Sequence, residues 1–77
     1  NNSKKSDSII FLANKEDIRY SDIFCIGDGY NDYDMIYMFN GYTVPTAKQE
    51  LKQVALGEYE NVSDLCDDIL KGKVTKK

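Results

Sequence analysis

Four apolar residues, Ile23-Phe24-Cys25-Ile26, run directly into Gly27-Asp28-Gly29-Tyr30-Asn31-Asp32, and no other stretch constrains the fold as tightly. An apolar run of this length, bounded by turn residues, reads as a strand covered on both faces, the kind found in parallel sheets with helical crossovers. Gly27 and Gly29 relieve backbone crowding where the chain turns. The turn then carries two carboxylates and an amide, Asp28, Asp32 and Asn31, at the carboxyl end of the strand. Ligands in open α/β sheets bind outside that end. Gly-Asp-Gly and Asn-Asp are also ordinary turn dipeptides, whose side chains bond to nearby backbone. The order of buried strand, acid, glycine turn and Asn-led apolar helix is what points beyond a plain turn. Hard oxygen donors of this type suit magnesium, which takes one or two protein carboxylates and completes its shell with water and substrate phosphate.

The rest of the chain reads as one α/β unit. Residues 6–18 place Ile9, Leu12 and Ala13 at helical spacing, with Ile10 and Phe11 widening the stripe, and lead down to the expected strand Ile23–Ile26. Asn31 is suited to cap the next helix, with Met35, Ile36, Met38 and Phe39 behind it and Asn40-Gly41 as a stop. Tyr42–Val44 reads as a short strand closed by Pro45, and Thr46-Ala47-Lys48-Gln49 fits a capping box for a helix bearing Ala47, Leu51, Val54 and Ala55 on one face. Residues 58–60 read as a brief strand or linker. Asn61 opens the last helix, where Val62, Leu65, Cys66, Ile69 and Leu70 follow the i, i+3, i+4, i+7, i+8 pattern. Strands in such an arrangement are expected to be parallel and covered by helices.

Composition narrows the chemistry. A chain of 77 residues holds one hydrophobic core at most. The formal charge of -3, from 13 acidic and 10 basic residues, provides no overall pull toward nucleic acid, and the dense basic patches lie at the ends, in Lys4-Lys5 and in Lys71, Lys73, Lys76 and Lys77. Histidine is absent, which removes imidazole bases, Ser-His-Asp and Cys-His schemes and His-zinc sites together. Carboxylates and lysine are left to do the work. Cys25 and Cys66 are too far apart for a Cys-x-x-Cys site and fall on apolar positions, so both are expected to be buried free thiols. No apolar run reaches the length of a membrane span, and the polar start Asn1-Asn2-Ser3-Lys4 lacks a signal-peptide core, so the expectation is a cytoplasmic protein without membrane or nucleic-acid partners.

Gly27-Asp28-Gly29-Tyr30-Asn31-Asp32-Tyr33-Asp34-Met35 resembles the GDGxNDxxM signature of the haloacid dehalogenase (HAD) superfamily, especially its sugar-phosphatase-like, Cof-type branch. The likeness extends upstream, where Lys5-Ser6-Asp7-Ser8-Ile9-Ile10-Phe11-Leu12 is similar to that branch's K-G-x-A-L-x-x-L helix, with Ser6 and Ser8 in place of Gly and Ala. Downstream, Gly41-Tyr42-Thr43-Val44 resembles the next strand, but Pro45-Thr46-Ala47 stands where M-G-N-A is usual. The resemblance implies a partial Rossmann-like α/β core, with short parallel strands covered by helices, residues 1–77 forming its C-terminal part, and no cap domain. It further implies magnesium as cofactor and a small phosphorylated substrate. On this reading Asp28 and Asp32 are metal-binding, Lys5 and Asp32 catalytic, and Asn31 and Gly29 substrate-binding; Lys4 is a register-shifted substitute for Lys5. Asp34 is read as a structural residue of the helix start, and Tyr30 as the variable position of the motif.

Family members attack phosphate with an aspartate of a DxD motif on their first strand, and no such motif follows an apolar strand here. The first half of the sheet is therefore expected to be missing from this chain, which by itself would not form the phospho-aspartyl intermediate. The absent strand would lie beside Ile23–Ile26, and an open apolar edge invites pairing. A missing N-terminal half or a second chain along that edge is the expected partner. Two alternatives stay beside the phosphohydrolase: a non-catalytic remnant that keeps the fold, and the phosphorylation domain of a P-type ATPase, which shares GDGxND but usually continues into Ala-Pro with a closer lysine.

Overall fold

A computed structural model describes residues 14–76 of the chain. The expected first helix falls mostly outside the described residues. Its tail, residues 14–16, is helical, and Asp17 then takes φ 59°, a left-handed conformation that ends the helix before Ile18. Ile18 is accordingly exposed rather than part of a core stripe. A 3₁₀ turn at Tyr20–Asp22 lifts the chain into the first strand.

Strand β1 spans Phe24–Gly27 and strand β2 spans Asn40–Thr43, and the two pair in parallel with Phe24 opposite Asn40 and Gly27 opposite Thr43. Between them, a 3₁₀ turn at Tyr30–Asp32 passes into helix α1, Tyr33–Met38. Each expected strand is displaced by a residue or more: β1 starts at Phe24 instead of Ile23, and β2 starts at Asn40 instead of Tyr42. Asn40-Gly41 is thus strand and not a helix stop. The reason is tertiary, because Asn40 is fully buried and donates its Nδ2 to the Ser21 carbonyl at 2.7 Å, while its backbone N–H bonds to Ile23 O at 3.0 Å. Gly41 lies so close to the backbone of Ile36 that a Cβ there would overlap it. Helix α1 and strand β2 can approach this closely only at a glycine.

On the far side of β2 the chain returns in extended form. Leu56 N–H donates to Gly41 O at 2.8 Å, Thr43 N–H to Gly57 O at 3.0 Å, and Tyr59 N–H to Thr43 O at 2.9 Å. The expected brief strand at residues 58–60 is therefore a single parallel bridge between Thr43 and Glu58. β2 lies between this segment and β1, and all its residues are buried, whereas those of β1 are half-buried. The apolar core is Met35, Ile36 and Phe39 around α1, Tyr42 on β2, Leu51 and Leu65. Met38, expected in the α1 stripe, is exposed, because the short helix turns only Met35, Ile36 and then Phe39 toward the sheet.

Helix α2 spans Gln49–Val54, and no side-chain capping bond starts it, so the capping box expected from Thr46 to Gln49 does not form. Pro45 and Thr46 are instead the centre of a turn closed by Ala47 N–H to Val44 O at 3.0 Å. Helix α3, Val62–Leu70, begins as expected, with Asn61 Oδ1 accepting from the Asp64 N–H at 2.9 Å. Its stripe is only partly covered: Leu65 is buried, Val62, Cys66 and Leu70 are exposed. Cys66 is thus not the buried thiol expected, and Cys25 is half-buried with its Sγ donating to Met35 O at 3.5 Å. Helix α3 turns only Leu65 fully into the core, which leaves the flanking positions of its stripe, Cys66 among them, in contact with solvent.

The C-terminal segment straps these parts together. Tyr42 Oη donates to Thr75 O at 2.6 Å and accepts from Thr75 N–H at 3.0 Å, and Lys76 Nζ bonds Asp22 Oδ1 at 3.0 Å. That hydrogen bond, and then the charge of Lys76, holds the Asp22 carboxyl below its ordinary pKa. An open cavity of about 310 Å³ lies between Phe24, Ile69, Gly72, Val74 and Lys76. Among the described residues no helix is long and apolar enough to cross a membrane.

Candidate active site at the strand tips

β1 ends at Gly27, and the residues after it form a turn whose centre is the Asp32 carboxylate. Asp32 is buried, with only 5% of its surface accessible, and its Oδ2 accepts backbone N–H bonds from Asp28 at 3.1 Å and Gly29 at 3.2 Å. Two backbone donors converging on one carboxylate oxygen form a small anion nest closed by the protein's own acid. Gly27 is required for the same reason: a Cβ there would overlap the Asp32 side chain. Gly29, by contrast, has among the described residues only Asp32 Oδ2 near its absent Cβ, at 3.9 Å, so none of them fills the space above it.

Asp28 occupies the exposed tip of this turn, next to exposed Tyr30 and Asn31. Asn31 does not cap α1; the N-cap position is Asp32, one residue later, because the 3₁₀ turn at Tyr30–Asp32 delays the start of the helix. Asp34 sits in the first turn of α1, where a carboxylate interacts favourably with the helix dipole. The tip of β2 is tied to the tip of β1 by Thr43 Oγ1, which donates to Gly27 O at 2.6 Å. Thr43 is fully buried, and its role is readable only from the register that sets it opposite Gly27.

Beyond β2, the Pro45-Thr46 turn leads to Lys48, whose Nζ lies 5.1 Å from the centre of the Tyr30 ring. The strand-tip face therefore combines an exposed carboxylate, an exposed amide and a cation held over an aromatic ring. Neither Lys48 nor Thr43 is among the site residues expected from the sequence, where Lys48 reads only as part of a capping box and Thr43 only as strand. Lys5 and Lys4 lie outside the described residues.

The donor set suits a hard dication in one respect. Asp28 presents carboxylate oxygens to solvent at the strand tip, and magnesium needs only one or two such ligands from a protein. Asp32 Oδ2 is already engaged by the backbone. Among the described residues no three Asp, Glu, Cys or His side chains are grouped to hold a metal.

Comparison with curated proteins gives no match. The family model of the haloacid dehalogenase-like hydrolases matches residues 1–64, which takes in β1, the Asp28 turn, β2 and α2. With a parallel α/β core and a strand-tip acid turn inside the matched region, the chain belongs to the haloacid dehalogenase-like hydrolases.

Proposed function

We propose that this chain is the lysine- and metal-acid-bearing part of a magnesium-dependent phosphohydrolase of the Cof-type, sugar-phosphatase-like branch, acting on a small phosphorylated metabolite in the cytoplasm. The observation that carries this reading is the Asp32 carboxylate beneath the turn, accepting from the Asp28 and Gly29 amides and so leaving the Asp28 carboxylate at the exposed strand tip. Phosphoryl transfer asks of a protein mainly positioning and charge neutralisation.

In this assignment Asp28 is the metal ligand. Magnesium, when bound, neutralises the phosphoryl oxygens. Asp32 acts chiefly by fixing the Asp28 turn, as a buried, doubly bonded carboxylate is suited to do, and it would be the second acid toward a bound dication. Asn31, exposed beside Asp28, donates to a phosphate oxygen. Gly29 spends its N–H on Asp32, so its contribution to substrate is the open space above its Cα. Lys5 supplies an ammonium to the phosphoryl group and the attacking aspartate, the task of a compact point charge. The nucleophile comes from a missing N-terminal half or a second chain, seated along the edge of β1 that β2 does not occupy.

The test joins or mixes this polypeptide with the segment bearing the nucleophilic aspartates and follows hydrolysis of an aryl phosphate. Turnover is expected only with magnesium, and Asp28→Asn should lower kcat/KM by about a hundredfold or more, the scale of losing a principal electrostatic contact in the transition state. Undiminished turnover in Asp28→Asn ends the proposal.

A further inference from the structure

Tyr30 and Lys48 come from different strand tips, two residues after Asp28 and five after the end of β2, yet they meet: the Lys48 ammonium lies 5.1 Å from the Tyr30 ring centre. Tyr30 is 60% exposed and Lys48 is exposed, so the pair is not packed into the core. Three features hold the two together. Thr43 Oγ1 bonds Gly27 O and aligns the strand ends; the Val44–Ala47 turn fixes where Lys48 emerges; and the Asp32 nest fixes the turn that carries Tyr30. A lysine directed onto an aromatic face has fewer orientations to lose when it meets an anion than a free surface lysine. Among the described residues neither side chain belongs to the apolar core or forms an ion pair.

We infer that Lys48, steered by the Tyr30 ring, is a specificity-determining residue that recognises a second negative charge on the alcohol part of the substrate, a carboxylate or a further phosphate. The inference rests on the phosphohydrolase reading and deepens it, since it selects among phosphate esters by the charge of the group that leaves. Lys48 emerges from the turn after β2 and meets the ring of Tyr30, two residues beyond Asp28 at the tip of β1. With Asp28 and Lys5 assigned to the phosphoryl group, the ammonium of Lys48 is assigned to the part of the substrate that leaves.

The experiment uses the complete enzyme and two phosphate monoesters of similar size, one with a carboxylate on the leaving alcohol and one with a neutral amide in its place. The ratio of their kcat/KM values is expected to fall about fivefold in Lys48→Gln, the scale of an exposed ion pair, and to fall further in Lys48→Glu. Lys48→Arg should preserve the preference, and Tyr30→Ala should weaken it. The change should reside in KM for the anionic ester and shrink at high ionic strength. A ratio unmoved by Lys48→Glu, or an equal loss of kcat for both esters, overturns the inference. Asp28→Asn in the same assay separates the two claims: an inactive Asp28→Asn enzyme with an unmoved Lys48→Glu ratio removes only the specificity assignment, whereas a fully active one removes the phosphohydrolase reading itself.

Discussion

Asp32 shows how a buried carboxylate can shape the turn above it. Its Oδ2 receives the Asp28 and Gly29 amides, which would otherwise be unpaired donors at a strand end, and its burial makes these charge-assisted bonds stronger than they would be in water. Asp32→Ala is expected to destabilise the protein by about 1–2 kcal/mol, the cost of losing two charge-assisted bonds to part-buried amides. Urea denaturation measures it. A loss below about 0.5 kcal/mol would mean that water replaces the carboxylate freely and that the turn does not depend on it. Hydrolysis should fall as well, even though Asp28 is untouched, because the Asp28 backbone is held by the group removed.

The pairing of α1 with β2 is decided by Gly41. Its Cα lies against the Ile36 backbone, and the opposing atoms belong to a helix, so no side-chain rotation can make room. Gly41→Ala is expected to cost about 3 kcal/mol, at the upper end of overpacking effects. Thermal unfolding reads the loss, and a variant as stable as the parent would show that helix and strand can part without penalty. The same contact explains why Asn40-Gly41, a pair with the chemistry of a helix stop, lies in a strand. Helix α1 does end just before it, at Met38, but the two residues then continue as ladder partners of Phe24 and Cys25. Local propensity marked the end of the helix, and burial of the Asn40 amide against Ser21 O decided what followed.

Across the whole molecule, α3 is tied to the sheet by side chains rather than by a continuous apolar seam. Leu65 is its only buried residue; Tyr59, after the extended segment, donates its hydroxyl to Asp68 Oδ2 at 2.7 Å and packs edge-on to Tyr42. That hydrogen bond, with burial and then the charge of Asp68, pushes the Tyr59 hydroxyl up to about 12. A phenol with a folded value above its ordinary 10.0 contributes stability that is fully present below pH 10 and is lost as the pH rises through about 12. Tyr59→Phe should therefore flatten the alkaline limb of the stability curve, measured by denaturant midpoints from pH 9 to about 12. Parallel curves for the two proteins would exclude the Tyr59–Asp68 bond as a pH-dependent tie.

The parallel α/β plan, the acid turn after an apolar strand and the Asn61 cap were all legible in the residues, because hydrophobic periodicity and turn chemistry act over a few neighbours. The family motif was legible for the same reason, being one contiguous run from Gly27 to Met35. What sequence could not supply were the relations between segments distant along the chain. Thr43 meets Gly27, Lys48 meets Tyr30, and Thr75 meets Tyr42 only once the strands are in register and the tail is laid across them. The division of labour between the two acids is of this kind. Asp28 and Asp32 are equivalent as residues; the 3₁₀ turn buries one against backbone amides and leaves the other in solvent, and only that difference in surroundings sets the proposed metal ligand apart from the acid that holds its turn.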